Sequence, residues 1–246
     1  MTTITTVPRA ERPPSLDPRP SPPDARPASR DDRPPAPNAL LDAPALDAPA
    51  ARAPLPQAHP DARGIDHAAA TRAVTDLLAA LGHDARGPHL AETPRRVADA
   101  LAELLTPRPF TLTTFPNDEG YDQLVLVRDV PFHSLCEHHL LPFHGVAHIA
   151  YLPGERIVGL SKLARVLHHF ARDLQVQERL TQQVADLLQD RLAPRGVGVV
   201  LQAEHLCMAL RGVQVSGSRT VTSALHGALR EDARTREEFF ALAGLQ

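Results

Sequence analysis

Two short segments of the chain hold both cysteines and three of the histidines, residue types that bind metal ions. Cys136 and His139 form a Cys-x-x-His pair, a spacing that lets a thiolate and an imidazole bind one tetrahedral ion. Cys207, far along the chain, is the only other cysteine. These three ligands would leave the fourth position of a zinc ion open for water, as in catalytic sites. On spacing alone, two buried thiols unrelated to a metal are an equal alternative.

A further histidine accompanies each half of this candidate site. His138 precedes His139, and His205 lies two residues before Cys207. Imidazoles exchange protons near neutral pH, which suits acid–base chemistry beside a metal-activated water. If the backbone there is extended, His205 and Cys207 point to the same face. Either histidine taken singly is more often structural than catalytic, so the prediction depends on the pattern as a whole.

The overall composition limits the kinds of partner. A formal net charge of -3 and a pI near 6.5 leave no global basic surface for nucleic acid or anionic lipid. Two cysteines among 246 residues are too few for a disulfide framework, and no apolar run reaches the roughly 20 residues of a membrane span. We therefore expect a soluble cytoplasmic protein that binds neither nucleic acid nor membrane. Lys162 is the only lysine beside many arginines, which suggests a contact that arginine cannot imitate.

The composition and residue pattern of the sequence change twice along the chain. Residues 1–66 are rich in proline, alanine and arginine, which predicts a disordered tail. Residues 67–120 predict a helical hairpin, with Gly82 ending the first helix and Thr93 and Pro94 starting the second. The apolar residues of the second helix that we expect to face inward are Val97, Leu101, Leu104 and Leu105.

Residues 121–246 alternate between strand and helix patterns, and we expect them to form the catalytic domain. The predicted strands cover residues 124–132, 146–151, 157–160, 196–202 and 208–215. The predicted helices cover residues 163–170, 180–192 and 230–242. This order predicts an α+β domain with helices on one face of a sheet.

Four ordered strings of this sequence resemble the GTP cyclohydrolase I family. They are Ser134–His139 (SLCEHH), Val158–Arg165 (VGLSKLAR), Gln175–Thr181 (QVQERLT) and His205–Gly212 (HLCMALRG). The resemblance covers about residues 67–243 and implies the tunnelling fold, an antiparallel sheet with two helices packed on one face. After Val213 the family usually has another basic residue, whereas Gln214 and Val215 follow here.

The resemblance implies a zinc-dependent enzyme that converts GTP to 7,8-dihydroneopterin triphosphate and formate, the first step of tetrahydrofolate and pterin biosynthesis. The ring opens by hydrolysis at C8, the ribose undergoes an Amadori rearrangement, and a new ring closes. Zinc would be bound by Cys136, His139 and Cys207, with His138 and His205 as acid–base residues.

The same resemblance implies the residues that bind GTP. Glu178 and Gln177 would both bind the substrate, and Glu178 would accept the N1–H and 2-amino hydrogens of guanine, a donor pair that adenine lacks. The residues implied for the triphosphate are Lys162, Arg165, Arg211 and Arg96, with Ser161 beside the sugar or the phosphates and assigned to the catalytic group.

The resemblance also implies a homodecamer of two stacked pentamers, with active sites between subunits. Three other interpretations are open at this point. A nitrile reductase of the same fold would use a cysteine as nucleophile, and a paralogue without catalytic activity would only bind GTP. In the third, the tail itself would be the functional part, as a ligand for another domain.

Overall fold

The computed structural model describes residues 64–245. The predicted disordered tail therefore lies outside the described residues, except for its last three positions. The helices are α1 (His67–Ala80), α2 (Thr93–Leu104), α3 (Leu160–Ala171), α4 (Gln177–Leu192), α5 (Leu206–Ala209), α6 (Ala228–Glu231) and α7 (Ala233–Ala243). The strands are β1 (Thr114–Pro116), β2 (Val125–Cys136), β3 (Pro142–Leu152), β4 (Arg156–Val158), β5 (Leu174–Gln175), β6 (Gly196–His205) and β7 (Thr220–Gly227).

Helices α1 and α2 pack against each other. The side chain of Asp66 caps α1 by accepting a hydrogen bond from the Ala69 N–H at 2.8 Å. The expectation that Val97 faces inward is wrong, because its side chain is 36% exposed while Ala98 and Ala102 are buried. Ala98 and Ala102 form the buried face of α2, and the larger side chain of Val97 lies at the edge of this face.

Five strands form the main sheet in the order β5-β2-β3-β6-β7. Strands β2, β3, β6 and β7 pair antiparallel, and the short β5 pairs parallel with the end of β2, with Cys136 opposite Gln175. Strands β1 and β4 form a separate two-stranded sheet. The domain is thus α+β, as the sequence predicts, with a sheet that is antiparallel except for β5.

Helices α3 and α4 cover one face of this sheet. Their periodic apolar residues, such as Leu163, Leu167, Leu180 and Val184, are fully buried in the larger part of the core. The other face packs against α6 and α7, where a Cβ on Gly198 would lie 2.6 Å from the side chain of Leu229. Both faces of the sheet are therefore fixed by packing, which gives the strand ends defined positions.

The region after β6 differs from the expected strand over residues 208–215. Residues Leu206–Ala209 form the short helix α5, and a loop follows in which Gly212 has φ 66° and Gln214 has φ 51°. A positive φ value interrupts the regular extended backbone, and two of them within three residues make this segment a loop. The edge strand is instead β7, so Arg211 lies in a loop and not on a strand.

The backbone at 205–207 is also not extended throughout, which corrects the expectation that His205 and Cys207 point to one face of a strand. His205 ends β6, whereas Cys207 belongs to α5. The final predicted helix is likewise interrupted, because Asp232 separates α6 from α7 and caps α7 by accepting from the N–H groups of Arg234 and Thr235. Among residues 64–245, the structure contains no helix with the length and apolar character that crossing a lipid bilayer requires.

Candidate active site

Cys136, His139 and Cys207 lie together in the folded chain. One ligand atom from each, a sulfur or a ring nitrogen, lies within 4.8 Å of the others. The Sγ of Cys136 is 3.9 Å from Nδ1 of His139. The donors of a tetrahedral zinc ion lie about 2.0–2.3 Å from the metal. The three atoms are thus close enough to bind one ion after small side-chain adjustments.

A tight turn after β2, which we name the metal-binding turn after its two candidate ligands, carries Cys136 and His139. The carbonyl of Cys136 accepts hydrogen bonds from the N–H groups of His139 at 3.3 Å and Leu140 at 2.9 Å. The Cys136 N–H donates to the Leu141 carbonyl at 2.9 Å, and Leu140 adopts φ 54° to complete the reversal into β3. The backbone therefore directs Cys136 and His139 to the same side of the turn.

Cys207 reaches the same place because β6 pairs with β3. The register puts Phe143 of β3 opposite His205, the last residue of β6, so α5 begins next to the metal-binding turn. Burial raises the pKa of the Cys207 thiol, and the adjacent Cys136 raises it further. Two thiols this close do not readily ionise together, whereas a divalent cation stabilises both as thiolates. This donor chemistry fits zinc.

His205 is held by two contacts beside this group. Its Nε2–H donates to Oε1 of Gln177 at 2.8 Å, and its ring stacks on Phe143 with centroids 4.6 Å apart and an interplanar angle of 1°. Burial lowers the pKa of His205, and the Glu178 carboxylate partly opposes that shift. A neutral imidazole that donates through Nε2 has Nδ1 available as a proton acceptor.

His138 has a more open position in the metal-binding turn. Its Nδ1 lies 3.9 Å from the Sγ of Cys136, and its side chain is 64% exposed. The rings of His138 and His139 meet edge to face at 6.3 Å between centroids. Because of this exposure, His138 is accessible to a ligand that approaches the metal-binding group from solvent.

Gln177 and Glu178 begin α4, but their side chains have different surroundings. Gln177 is 1% exposed, and its amide N–H groups point at the Leu201 and Thr220 carbonyls at 3.1 and 3.0 Å. Glu178 is exposed on the first turn, where a carboxylate is favoured by the helix dipole. Of this pair, Glu178 is the residue whose polar atoms are directed away from the core.

Ser161, Lys162 and Arg165 lie in the first turns of α3. Burial lowers the pKa of Lys162, and the like charge of Arg165 lowers it further. The two cations are therefore close enough to repel each other at a helix N-terminus, which itself favours anions. An anion bound there would relieve this repulsion.

A cavity of about 710 Å³ adjoins the same face of α3. Ser161 and Arg165 line it together with other basic side chains, among them Arg108 and His133. The metal-binding residues are not part of its lining. The cavity and the metal-binding group are therefore separate features of one chain.

The cations of α3 lie on the first turns of the helix, whereas the metal-binding turn lies beside its other end. The helix rises about 15 Å from Ser161 to its last residue, Ala171. The far end of α3 is the one near the metal-binding turn, because the Oγ of Ser134 on β2 donates to the Asp173 carbonyl at 3.3 Å. Arg211 is exposed in the loop after α5, and Arg96 is exposed on α2.

Two contributions to this site escape prediction from the sequence. The stacking of Phe143 on His205 depends on the register of β3 with β6, which no spacing pattern encodes. Glu204 accepts from the Gly217 N–H at 2.8 Å and thereby ties down the loop that carries Arg211. A glutamate near the end of a strand gives no signal of that contact.

Comparisons with known proteins identify the family. The sequence model of the GTP cyclohydrolase I family matches residues 70–244. The chain belongs to this family, a class of hydrolases that act on GTP.

Several curated relatives carry the name GTP cyclohydrolase 1. The protein of Aquifex aeolicus is 51% identical over 178 residues, which are 72% of this chain and 97% of that protein. The protein of Synechococcus sp. (strain JA-2-3B'a(2-13)) is 52% identical over 174 residues, 69% of this chain and 76% of that protein. The protein of Thermobifida fusca is 52% identical over 180 residues, 71% of this chain and 87% of that protein.

Proposed function

We propose that this enzyme hydrolyses GTP to 7,8-dihydroneopterin triphosphate and formate at a zinc site formed by Cys136, His139 and Cys207. The observation that carries the proposal is the convergence of these three side chains, from two distant segments, beside the half-buried His205. Two thiols and an imidazole are a donor set that zinc prefers. Zinc bound there supplies an activated water molecule and leaves one position open to it.

The two histidines that are not ligands supply proton transfer in this proposal. His205 offers Nδ1 as an acceptor because Gln177 occupies its Nε2–H. His138 is exposed beside Cys136, where it can exchange a proton with the purine ring or the ribose.

Glu178 is the proposed guanine contact. Its carboxylate lies on the exposed first turn of α4, close enough to His205 to influence the pKa of that imidazole. A carboxylate accepts two parallel hydrogen bonds from the N1–H and 2-amino groups of guanine. Adenine has no such pair of donors, so ATP would leave the carboxylate unpaired.

We propose that the triphosphate is bound by Lys162 and Arg165 with Ser161, and by Arg211 and Arg96. Lys162 and Arg165 lie about 14 and 9 Å along α3 from its end beside the metal-binding turn, so a triphosphate bound there and a purine bound at the metal would be far apart in one chain. We therefore propose that a second copy of the chain supplies one of the two groups. A tunnelling-fold decamer of two pentamers would bring such a second copy to the site. We further propose that the enzyme acts in the cytoplasm.

Incubation of the purified protein with GTP tests this function. We expect one formate released per GTP, a product that becomes fluorescent after oxidation to a pterin, and about one zinc per chain. The variant His205→Ala should retain zinc and bind GTP but release formate at least about 100 times more slowly. The exposed Arg86→Gln variant serves as a control with wild-type turnover.

Three results would contradict the proposal. Full activity without a bound metal would favour a mechanism in which a cysteine acts as nucleophile. Binding of GTP without any formate would favour a protein that only binds the nucleotide. Wild-type turnover in the His205→Ala variant would remove the acid–base assignment.

A further inference from the structure

Arg179, on the second turn of α4, joins this helix to the metal-binding turn. Its Nη2 donates to the Glu137 carboxylate and to the Leu174 carbonyl, the latter at 2.7 Å. Its Nε donates to Oε1 of Gln175 at 3.0 Å. One guanidinium therefore contacts the turn and both residues of β5.

Glu137 connects this guanidinium to the residues on either side of it in the turn. Its second carboxylate oxygen lies 3.8 Å from Nε2 of His138, whose Nδ1 lies 3.9 Å from the Sγ of Cys136. The Glu137 N–H donates to the Gln175 carbonyl at 3.0 Å. Both the backbone and the side chain of Glu137 are thus attached to the region of β5 and α4.

Gln175 makes this attachment rigid. It is 1% exposed, and its Nε2 donates to the Phe170 carbonyl and to Oε1 of Gln183, both at 2.9 Å. The oxygen of the same amide accepts from Arg179. The guanidinium is therefore oriented by a buried amide that is itself fixed to α3 and α4.

We propose that Arg179 and Glu137 are positioning residues for the metal site. They hold the turn so that Cys136 and His139 stay within bonding distance of one ion and the His138 ring stays beside them. This inference rests on the proposed function, since it assumes that the turn binds zinc. The competing interpretation is an ordinary ion pair: the Arg179 and Glu137 side chains are 39% and 33% exposed, and such pairs often contribute nothing measurable.

The Glu137→Gln variant keeps the shape of the side chain and removes its charge. Arg179→Gln removes the guanidinium, and Arg179→Lys keeps a charge but loses the planar fork that reaches three acceptors. Arg86→Gln is the matched control, because it also breaks an ion pair, with Asp84, at an exposed position. Circular dichroism and thermal melting identify any variant that fails to fold. The variants that fold then test the positioning role.

The main measurement is the rate at which zinc passes to a chromogenic chelator. We expect release about 10 times faster in Glu137→Gln and Arg179→Gln, because removing groups that orient metal ligands typically weakens binding by 10 to 100 times. The rate of zinc release from Arg179→Lys should lie between the rates of these variants and of the wild type. The rate from Arg86→Gln should equal that of the wild type. The double variant should release zinc no faster than the more affected single variant, since both substitutions break the same contact.

Two further readouts separate positioning from a general structural effect. The visible absorption of the cobalt-loaded protein should change in Glu137→Gln, because the geometry of the ligands changes. The KM for GTP should stay within about two-fold while kcat falls, since neither residue is assigned to the nucleotide.

The possible failures are distinguishable. If the wild-type protein binds no zinc, the proposed function itself fails. If the wild-type protein binds zinc and the variants release it at the same rate, the positioning role is refuted. Multiplied effects in the double variant would show that the two residues act independently, which also overturns the inference.

Discussion

Replacing Gln177 with leucine distinguishes two roles for this residue. The sequence assigns it to the substrate, whereas its amide contacts His205 and three groups of the protein. Leucine has a similar size but removes the acceptor at 2.8 Å from His205 Nε2 and the donors to the Leu201 and Thr220 carbonyls. The substitution therefore separates the orientation of His205 from the binding of GTP.

The size of the effect follows from these contacts. A buried donor or acceptor left without its partner costs about 1–3 kcal/mol, and Gln177 is 1% exposed. With some relaxation of the two carbonyls, we expect the free energy of unfolding to fall by about 3 kcal/mol. For a chain of this size that corresponds to a melting temperature about 10 °C lower. An imidazole displaced by about 1 Å can lower kcat about 100-fold.

The assay measures kcat and KM from formate release, and GTP affinity by calorimetry. We expect the loss in kcat with a KM within about three-fold of the wild type. Thr181→Val is the control, because Thr181 belongs to the same buried group but directs its hydroxyl elsewhere: its Oγ1 lies 2.7 Å from the Gln177 carbonyl and 2.6 Å from Thr222 Oγ1. This control should lose about 1–2 kcal/mol of stability and keep its kcat. A Gln177→Leu variant with normal kcat and a KM raised more than 10-fold would refute the positioning of His205.

Three other predictions concern the metal ion, the guanine base of GTP and the dependence of stability on pH. Dialysis against a strong chelator should abolish formate release, and zinc should restore it; activity that survives with less than a tenth of the metal would contradict the zinc assignment. Glu178→Gln should raise the KM for GTP by at least about 10-fold and reduce discrimination against ATP, measured by competition; an unchanged ratio would exclude Glu178 as the guanine contact. Burial lowers the pKa of His148; the charge of Asp129 opposes this shift and that of Arg128 adds to it. The unfolded chain therefore binds the proton more readily than the folded chain, so stability is lost as the pH falls below about 6.5. Thermal melting from pH 7.5 to 5 should therefore show a smaller decrease in His148→Gln than in the wild type, and parallel curves would refute this role.

The longer helices and four of the seven strands were predictable because their residues follow simple periods. The apolar spacing of residues 163–170 and 180–192 matches α3 and α4, whose ends lie only a few residues away. The expected strand at 208–215 is wrong because Val213 and Val215 imitate an alternating pattern while being 69% and 41% exposed in a loop. Sequence periodicity does not distinguish apolar residues that are buried from those that a loop leaves exposed.

The group of two cysteines and a histidine was predictable from its chemistry, and the residues that contact its turn were not. Cysteine and histidine are rare enough at ligand spacing to be recognised, and Cys136, His139 and Cys207 do come together. Arg179 and Gln175 lie before the predicted helix over residues 180–192 and outside every predicted strand. Their contacts with each other and with Glu137 join segments that are far apart along the chain.

The sequence by itself determined which donor atoms are available and which family the chain belongs to, because these depend on the identity and order of residues. The tertiary structure decided which nitrogen of His205 is occupied and which face of α4 meets the metal-binding turn. These properties follow from strand register and helix packing. They join residues that no local pattern relates, so only the folded chain defines them.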